Sequence, residues 1–182
     1  ISNQNFKPEI SYPYLLPVGN NKKVKIFAQD DNGKMNYNLK HFIMDHFDTV
    51  HCIRKGIITA LPDNQVEVDR VSDSGLEVLH ADGTIAVYRG IIPNSILLNL
   101  GQVVYPGQPI GLVGEPPILV LNVCSFQGNG KVKNLEVYYS DNNGQLISSE
   151  LILNKSFVSP INVITKEMNK RETKKYENKD LF

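Results

Sequence analysis

Leu76-Glu77-Val78-Leu79-His80-Ala81-Asp82-Gly83-Thr84-Ile85-Ala86-Val87-Tyr88 is the stretch that decides the fold class. β-Formers flank Asp82-Gly83 on both sides, and Asp-Gly is the pair that tolerates positive φ in a tight reversal. The stretch predicts a β-hairpin. Upstream, Val24 to Ala28 follows the Asn20-Asn21 turn as a strand, and Thr49 to Leu61 carries strand residues on either side of Gly56. Downstream, Gly101-Gln102-Val103-Val104-Tyr105-Pro106-Gly107-Gln108-Pro109-Ile110-Gly111 is punctuated by residues that suit chain reversals. Ile118 to Phe126 reads as a fully buried strand, interrupted only by the polar Asn122. A second hairpin is predicted from Leu135–Tyr139 to Leu146-Ile147 through Asp141-Asn142-Asn143-Gly144. Short strands at close spacing, with turn signals between them, predict an all-β domain.

The C-terminus changes character. Lys166 to Asp180 holds six basic and four acidic residues, with Met168 and Tyr176 its only sizeable apolar side chains. This predicts a short, solvated helix, with Ser159-Pro160 as its N-cap and first-turn pair.

Over 182 residues, 19 Lys and Arg balance 19 Asp and Glu. A nucleic-acid binder shows a basic excess and an acidic solvating tail the reverse, so the balance speaks against both. No run approaches the roughly 18 apolar residues that a membrane-spanning helix needs. Cys52 and Cys124 are too few for a disulfide scaffold or a four-thiolate zinc site. Two small buried hydrophobes or one disulfide remain open for them. The chain starts at Ile1, as expected of a product whose signal peptide has been removed.

The segments line up with a specific family. In order and approximate spacing, Val50-His51-Cys52-Ile53-Arg54-Lys55-Gly56-Ile57-Ile58, the Val78–Tyr88 hairpin, Leu100–Gly114 with its Gly-Gln…Gly-Gln-x-Ile-Gly element, and Leu119-Val120-Leu121-Asn122-Val123 resemble the M23 peptidases. These are the LytM or lysostaphin-type zinc endopeptidases of bacterial cell walls. The resemblance covers about residues 37 to 126. It implies an antiparallel β-sandwich or hybrid barrel with an open groove, and a layout of lead-in (1–36), M23-like core (37–127), appended hairpin (128–158) and charged C-terminal helix or tail (159–182).

Active members of the family hold zinc with a His-x-x-x-Asp pair and the second His of a His-x-His strand. Such a site needs three protein ligands and a metal-bound water. Counting back from Val50 without a gap puts Tyr37 at the first His and His41 at the Asp. A gapped alternative uses His41 and Asp45, which have the right spacing, but it deletes four residues before Val50. The His-x-His strand corresponds to Ile118-Leu119-Val120, so Ile118 stands at the catalytic His and Val120 at the ligand. Tyr-x-His after the hairpin corresponds to Tyr88-Arg89-Gly90, and the family's glycine-rich loop shrinks to Glu115-Pro116-Pro117. Aliphatic groups cannot coordinate a metal. The resemblance therefore implies a domain without catalytic residues and without bound zinc, the zinc endopeptidase with an atypical ligand set being the alternative.

Other readings are weaker. His41, His46 and His51 recur every five residues, a step that brings them together on neither a helix nor a strand. His51 and Cys52 are adjacent, and adjacent strand residues point to opposite faces, which disfavours a nucleophile–base pair. His80, Tyr88, Arg89 and Tyr105 are the candidate groove-binding side chains, Tyr supplying rigid area with a hydroxyl handle. The implied partners are a peptidoglycan peptide or a cell-wall hydrolase, since inactive members of the family regulate amidases. The implied location is the bacterial cell envelope or its exterior. A structural role in a larger envelope assembly is the third possibility.

Overall fold

A computed structural model describes residues 12–27, 40–63, 74–127, 130–148, 152 and 154–182. In chain order the strands are β1 (Lys25–Phe27), β2 (Lys40–Ile43), β3 (Thr49–His51), β4 (Gly56–Ala60), β5 (Leu76–Leu79) and β6 (Thr84–Arg89). They continue as β7 (Val103–Val104), β8 (Pro109–Leu112), β9 (Ile118–Phe126), β10 (Val132–Leu135), β11 (Tyr139–Ser140) and β12 (Leu146–Ile147). Two helices close the chain, α1 (Ile161–Ile164) and α2 (Lys170–Glu177).

The main sheet runs β1-β2-β9-β6-β5-β4-β7, with β10 also on β9, and every pairing is antiparallel. The small β3–β8 and β11–β12 sheets pack on one of its faces. Period-two alternation decides which residues go inward. Phe42, Ile58, Leu76, Val78, Ala86, Tyr88, Leu119, Leu121 and Val123 of the main sheet meet Val50, Ile110 and Tyr139 of the second layer in one core. Both layers are antiparallel β, the architecture expected from the sequence.

The Asp82-Gly83 hairpin forms as predicted, with Leu79 opposite Ile85 and Gly83 at φ 80°. Asp82 Oδ1 accepts from both the backbone N–H and the hydroxyl of Thr84 (3.1 and 2.7 Å), which closes the turn.

Two expectations are corrected. The Ile118–Phe126 strand has the predicted ends and is buried on both faces from Leu121 to Ser125, but its ends are open: Ile118 and Val120 are half-buried and Phe126 is 63% exposed. The second hairpin is split, because Val132–Leu135 adds to β9 while only Tyr139-Ser140 pairs with Leu146-Ile147. Tyr12, Tyr14, Leu16, Val24, Val137, Tyr139 and Ile152 belong to the same core, and Tyr14 bridges Tyr139.

The C-terminal segment is docked through Glu167 and Glu172, while α2 itself has no buried residue. Arg54, 1% exposed, binds Glu167 through Nε and Nη2 (3.1 and 2.6 Å) and Asp82 through Nη1 (2.8 Å), with its guanidinium 3.8 Å from the Tyr12 ring centre. Lys55 pairs with Glu172 at 2.8 Å, and the Tyr105 hydroxyl donates to the same carboxylate at 2.9 Å. Asn169 and Glu172 form a capping box that starts α2. Pro160, not Ser159, is the cap residue of α1, and no side chain caps it. Among the described residues no helix is long and apolar enough to cross a membrane.

Candidate binding face

The face of the main sheet turned away from the core carries the positions singled out at the end of the hairpin and on β9. On β9, Leu119 and Leu121 face the core, so Ile118, Val120 and Asn122 face the other way. On β6 the buried Tyr88 sends Arg89 to that side, and on β2 the buried Phe42 sends His41 and Ile43 there. The register sets His41 directly opposite Val120 on one side of β9, and Arg89 directly opposite Val120 on the other. Directly opposed residues on one face have Cβ atoms about 5 Å apart. One row across three strands therefore reads His41, Val120, Arg89.

Gly90 ends the row, at φ 97°. A Cβ there would lie 2.2 Å from the Ile118 carbonyl oxygen, so the backbone of β9 itself occupies the space a side chain would need. Tyr37 lies outside the described residues. Asp45 does not join His41, because β2 stops at Ile43 and Asp45 begins a turn. Its backbone N–H donates to Asp48 (3.1 Å), its side chain is 90% exposed, and the Lys22 ammonium ion lies 4.0 Å away, paired with Asp48. His46 turns outward to Glu115, 2.7 Å away.

A zinc ion of the kind the family resemblance implies does not fit this donor set. The row offers one imidazole, an aliphatic side chain, a guanidinium and a glycine, whereas zinc takes imidazole, thiolate or carboxylate. Among the described residues no three His, Cys, Asp or Glu side chains gather where they could hold a metal.

Two of the four groove candidates are core residues instead. Tyr88 is 0% exposed, and its hydroxyl accepts from the Ile53 N–H at 2.9 Å, a cross-core bond that fixes the chain beside Cys52. His80 is 2% exposed, packs its ring against Tyr14, and shares a 2.9 Å hydrogen bond with the Thr84 hydroxyl. Burial, with the Arg54 charge nearby, pushes its pKa down to about 3. Tyr105 sits beyond β7 at the far edge of the sheet, occupied by Glu172 and stacked on Phe182. Only Arg89 of the four lies on the face. Its Nη1 donates to Asn122 Oδ1 at 3.1 Å, and Asn122 donates in turn to Asn134 Oδ1 at 3.3 Å. Asn122 was legible only as a polar break in an apolar run. Both cysteines are buried free thiols, Cys52 in the main core and Cys124 on the opposite side of the sheet beside Ile85 and Val87.

No family model matches the chain, and no curated protein matches it. Solved structures do. The M23 metalloprotease pseudoalterin, from the deep sea, is 17% identical over 76% of this chain and 75% of its own, with a TM-score of 0.48. These neighbours are M23/LytM-type peptidases. Lysostaphin is 18% identical over 69% of this chain, with a TM-score of 0.45. Helicobacter pylori Csd3 is 17% identical over 92% of this chain, with a TM-score of 0.44. The chain spans about half of lysostaphin (51%) and less than half of Csd3 (43%). At these identities and scores the likeness is one of fold.

Proposed function

We propose that this chain is a binding module of the bacterial cell envelope, an M23-like domain without peptidase chemistry, that takes a peptidoglycan stem peptide on the β2–β9–β6 face. The observation that carries the reading is the row His41–Val120–Arg89, ended by Gly90. An aliphatic side chain stands at its centre, where a hydrolytic site of the resembled kind needs a ligand. Half-buried Ile118 and Val120 beside exposed Ile43 supply apolar contact, while Arg89, His41 and Asn122 supply polar anchors. Few polar groups set among apolar surface is the usual make-up of a site that recognises an extended ligand. Zero net charge removes long-range attraction to anionic wall polymers, so affinity has to come from this face.

Sedimentation with purified peptidoglycan tests the reading. The wild-type protein is expected to be retained at low salt, and Val120→Glu, which sets a carboxylate between His41 and Arg89 at a half-buried position, is expected to lose retention while keeping its fold. Absence of wild-type retention would overturn the reading and favour a cell-wall hydrolase or an envelope assembly as the partner.

A further inference from the structure

Arg89 differs from Arg54, Lys55 and Lys22. Arg54 is neutralised by Asp82 and Glu167, Lys55 by Glu172 and Lys22 by Asp48. Arg89 is half-buried, and its side-chain partner among the described residues is the neutral amide of Asn122. Glu77 lies diagonal to Arg89 on the neighbouring strand, but among the described residues no carboxylate comes within ion-pair distance of it. A partly desolvated guanidinium so placed is costly, and the chain nevertheless builds a seat for it. A Cβ at Gly75 would lie 3.1 Å from Arg89 Cγ, so the glycine leaves the notch along which the arginine stem lies. Asn122, 7% exposed, has both ends of its amide committed, to Arg89 and to Asn134, which holds the guanidinium in one direction. Anchoring uses one Nη1 hydrogen bond, and a guanidinium has five N–H donors in a planar fork matched to a carboxylate.

We infer that Arg89 is a carboxylate anchor, and that the ligand of this face is a peptide bearing a free carboxylate set over the Arg89–Val120 row. The inference rests on the proposed binding face and specifies its ligand chemistry. Val120 and Ile118 beside the anchor would offer apolar contact to an aliphatic side chain next to that carboxylate. Asn122 acts through Arg89 and is a positioning residue.

Calorimetric titration with a synthetic stem pentapeptide tests this, using the peptide as the free C-terminal acid and as its C-terminal amide. The acid is expected to bind at least tenfold more tightly than the amide, in line with a charge-assisted pair. Arg89→Gln should bring the two to equal affinity, and Arg89→Lys should restore part of the preference, with thermal unfolding confirming that both variants fold. Asn122→Ala should weaken the preference without abolishing amide binding. Equal wild-type affinity for acid and amide, or a preference unchanged in Arg89→Gln, would overturn the anchor while leaving the binding face standing. No binding of either peptide would overturn the proposed face and the anchor with it.

Discussion

His41 and Val120 stand directly opposite each other across the β2–β9 ladder, and Arg89 faces Val120 from the other side. The strand register thus brings to one row positions separated in sequence by as much as 79 residues, 41 against 120. It leaves an aliphatic side chain between an imidazole and a guanidinium. That arrangement suits contact with a ligand and does not suit coordination of a metal.

Gly90 is fixed by sterics. A side chain there meets the Ile118 carbonyl and also takes a left-handed backbone conformation. Gly90→Ala is expected to cost at least about 2 kcal/mol, read as a lowered denaturation midpoint with unchanged m-value. A loss below about 0.5 kcal/mol would mean that β6 and β9 separate easily at this point.

Arg54 ties the hairpin turn, the Tyr12–Tyr14 segment and Glu167 together. Arg54→Met leaves the Asp82 and Glu167 carboxylates without their cation, and breaking a buried pair from one side costs about 3 kcal/mol or more. Partial exposure of the two acids (12% and 20%) puts the expected loss at the low end of that range. Limited proteolysis should then cut between Ser159 and Lys170 at protease concentrations that leave the wild type intact.

His80 makes the fold acid-sensitive. Its pKa is about 3 in the folded chain, through burial and the Arg54 charge, against 6.5 unfolded, so the unfolded state takes the proton first as pH falls. The contribution is complete above about pH 6.5 and is lost progressively down to about pH 3, at up to about 1.4 kcal/mol per pH unit. His51, whose pKa burial also lowers, adds in the same direction. Denaturation midpoints measured from pH 7 to pH 4 should fall more steeply for the wild type than for His80→Gln. Parallel curves would contradict the assignment.

Burial pushes the Cys52 thiol up to about 12 and raises that of Cys124. Neither should react with a thiol reagent in the native protein at pH 8, and two thiols should titrate in denaturant without reductant. A count of zero would mean a disulfide across the sheet.

The strands were legible where chemistry is local. Asp82-Gly83 announced its hairpin, and the apolar run from Ile118 to Phe126 announced β9 with its true ends. The opening of β9 at Ile118 and Val120 was not legible, because a half-buried valine and a buried one are the same letter. Leu135–Tyr139 reads as one strand, yet its first residue pairs with β9 and its last with β12, a partition that only tertiary contacts decide. The docking of the charged tail was not legible because Glu167 and Glu172 find Arg54 and Lys55 more than 110 residues away. Of the groove candidates, Tyr88 lies on a strand whose face depends on register and His80 in a turn that folds back onto Tyr14, so their residue types alone pointed the wrong way. Arg89, next to Tyr88, fell on the open side for the same reason.

Zinc content is the most direct measurement of the central claim. Protein equilibrated with a slight excess of zinc, freed of unbound metal by gel filtration and analysed by mass spectrometry of the metal, is expected to retain far less than one equivalent. His41→Ala should give the same value. One equivalent of zinc in the wild type, lost in His41→Ala, would contradict the account and return the chain to the metallopeptidases.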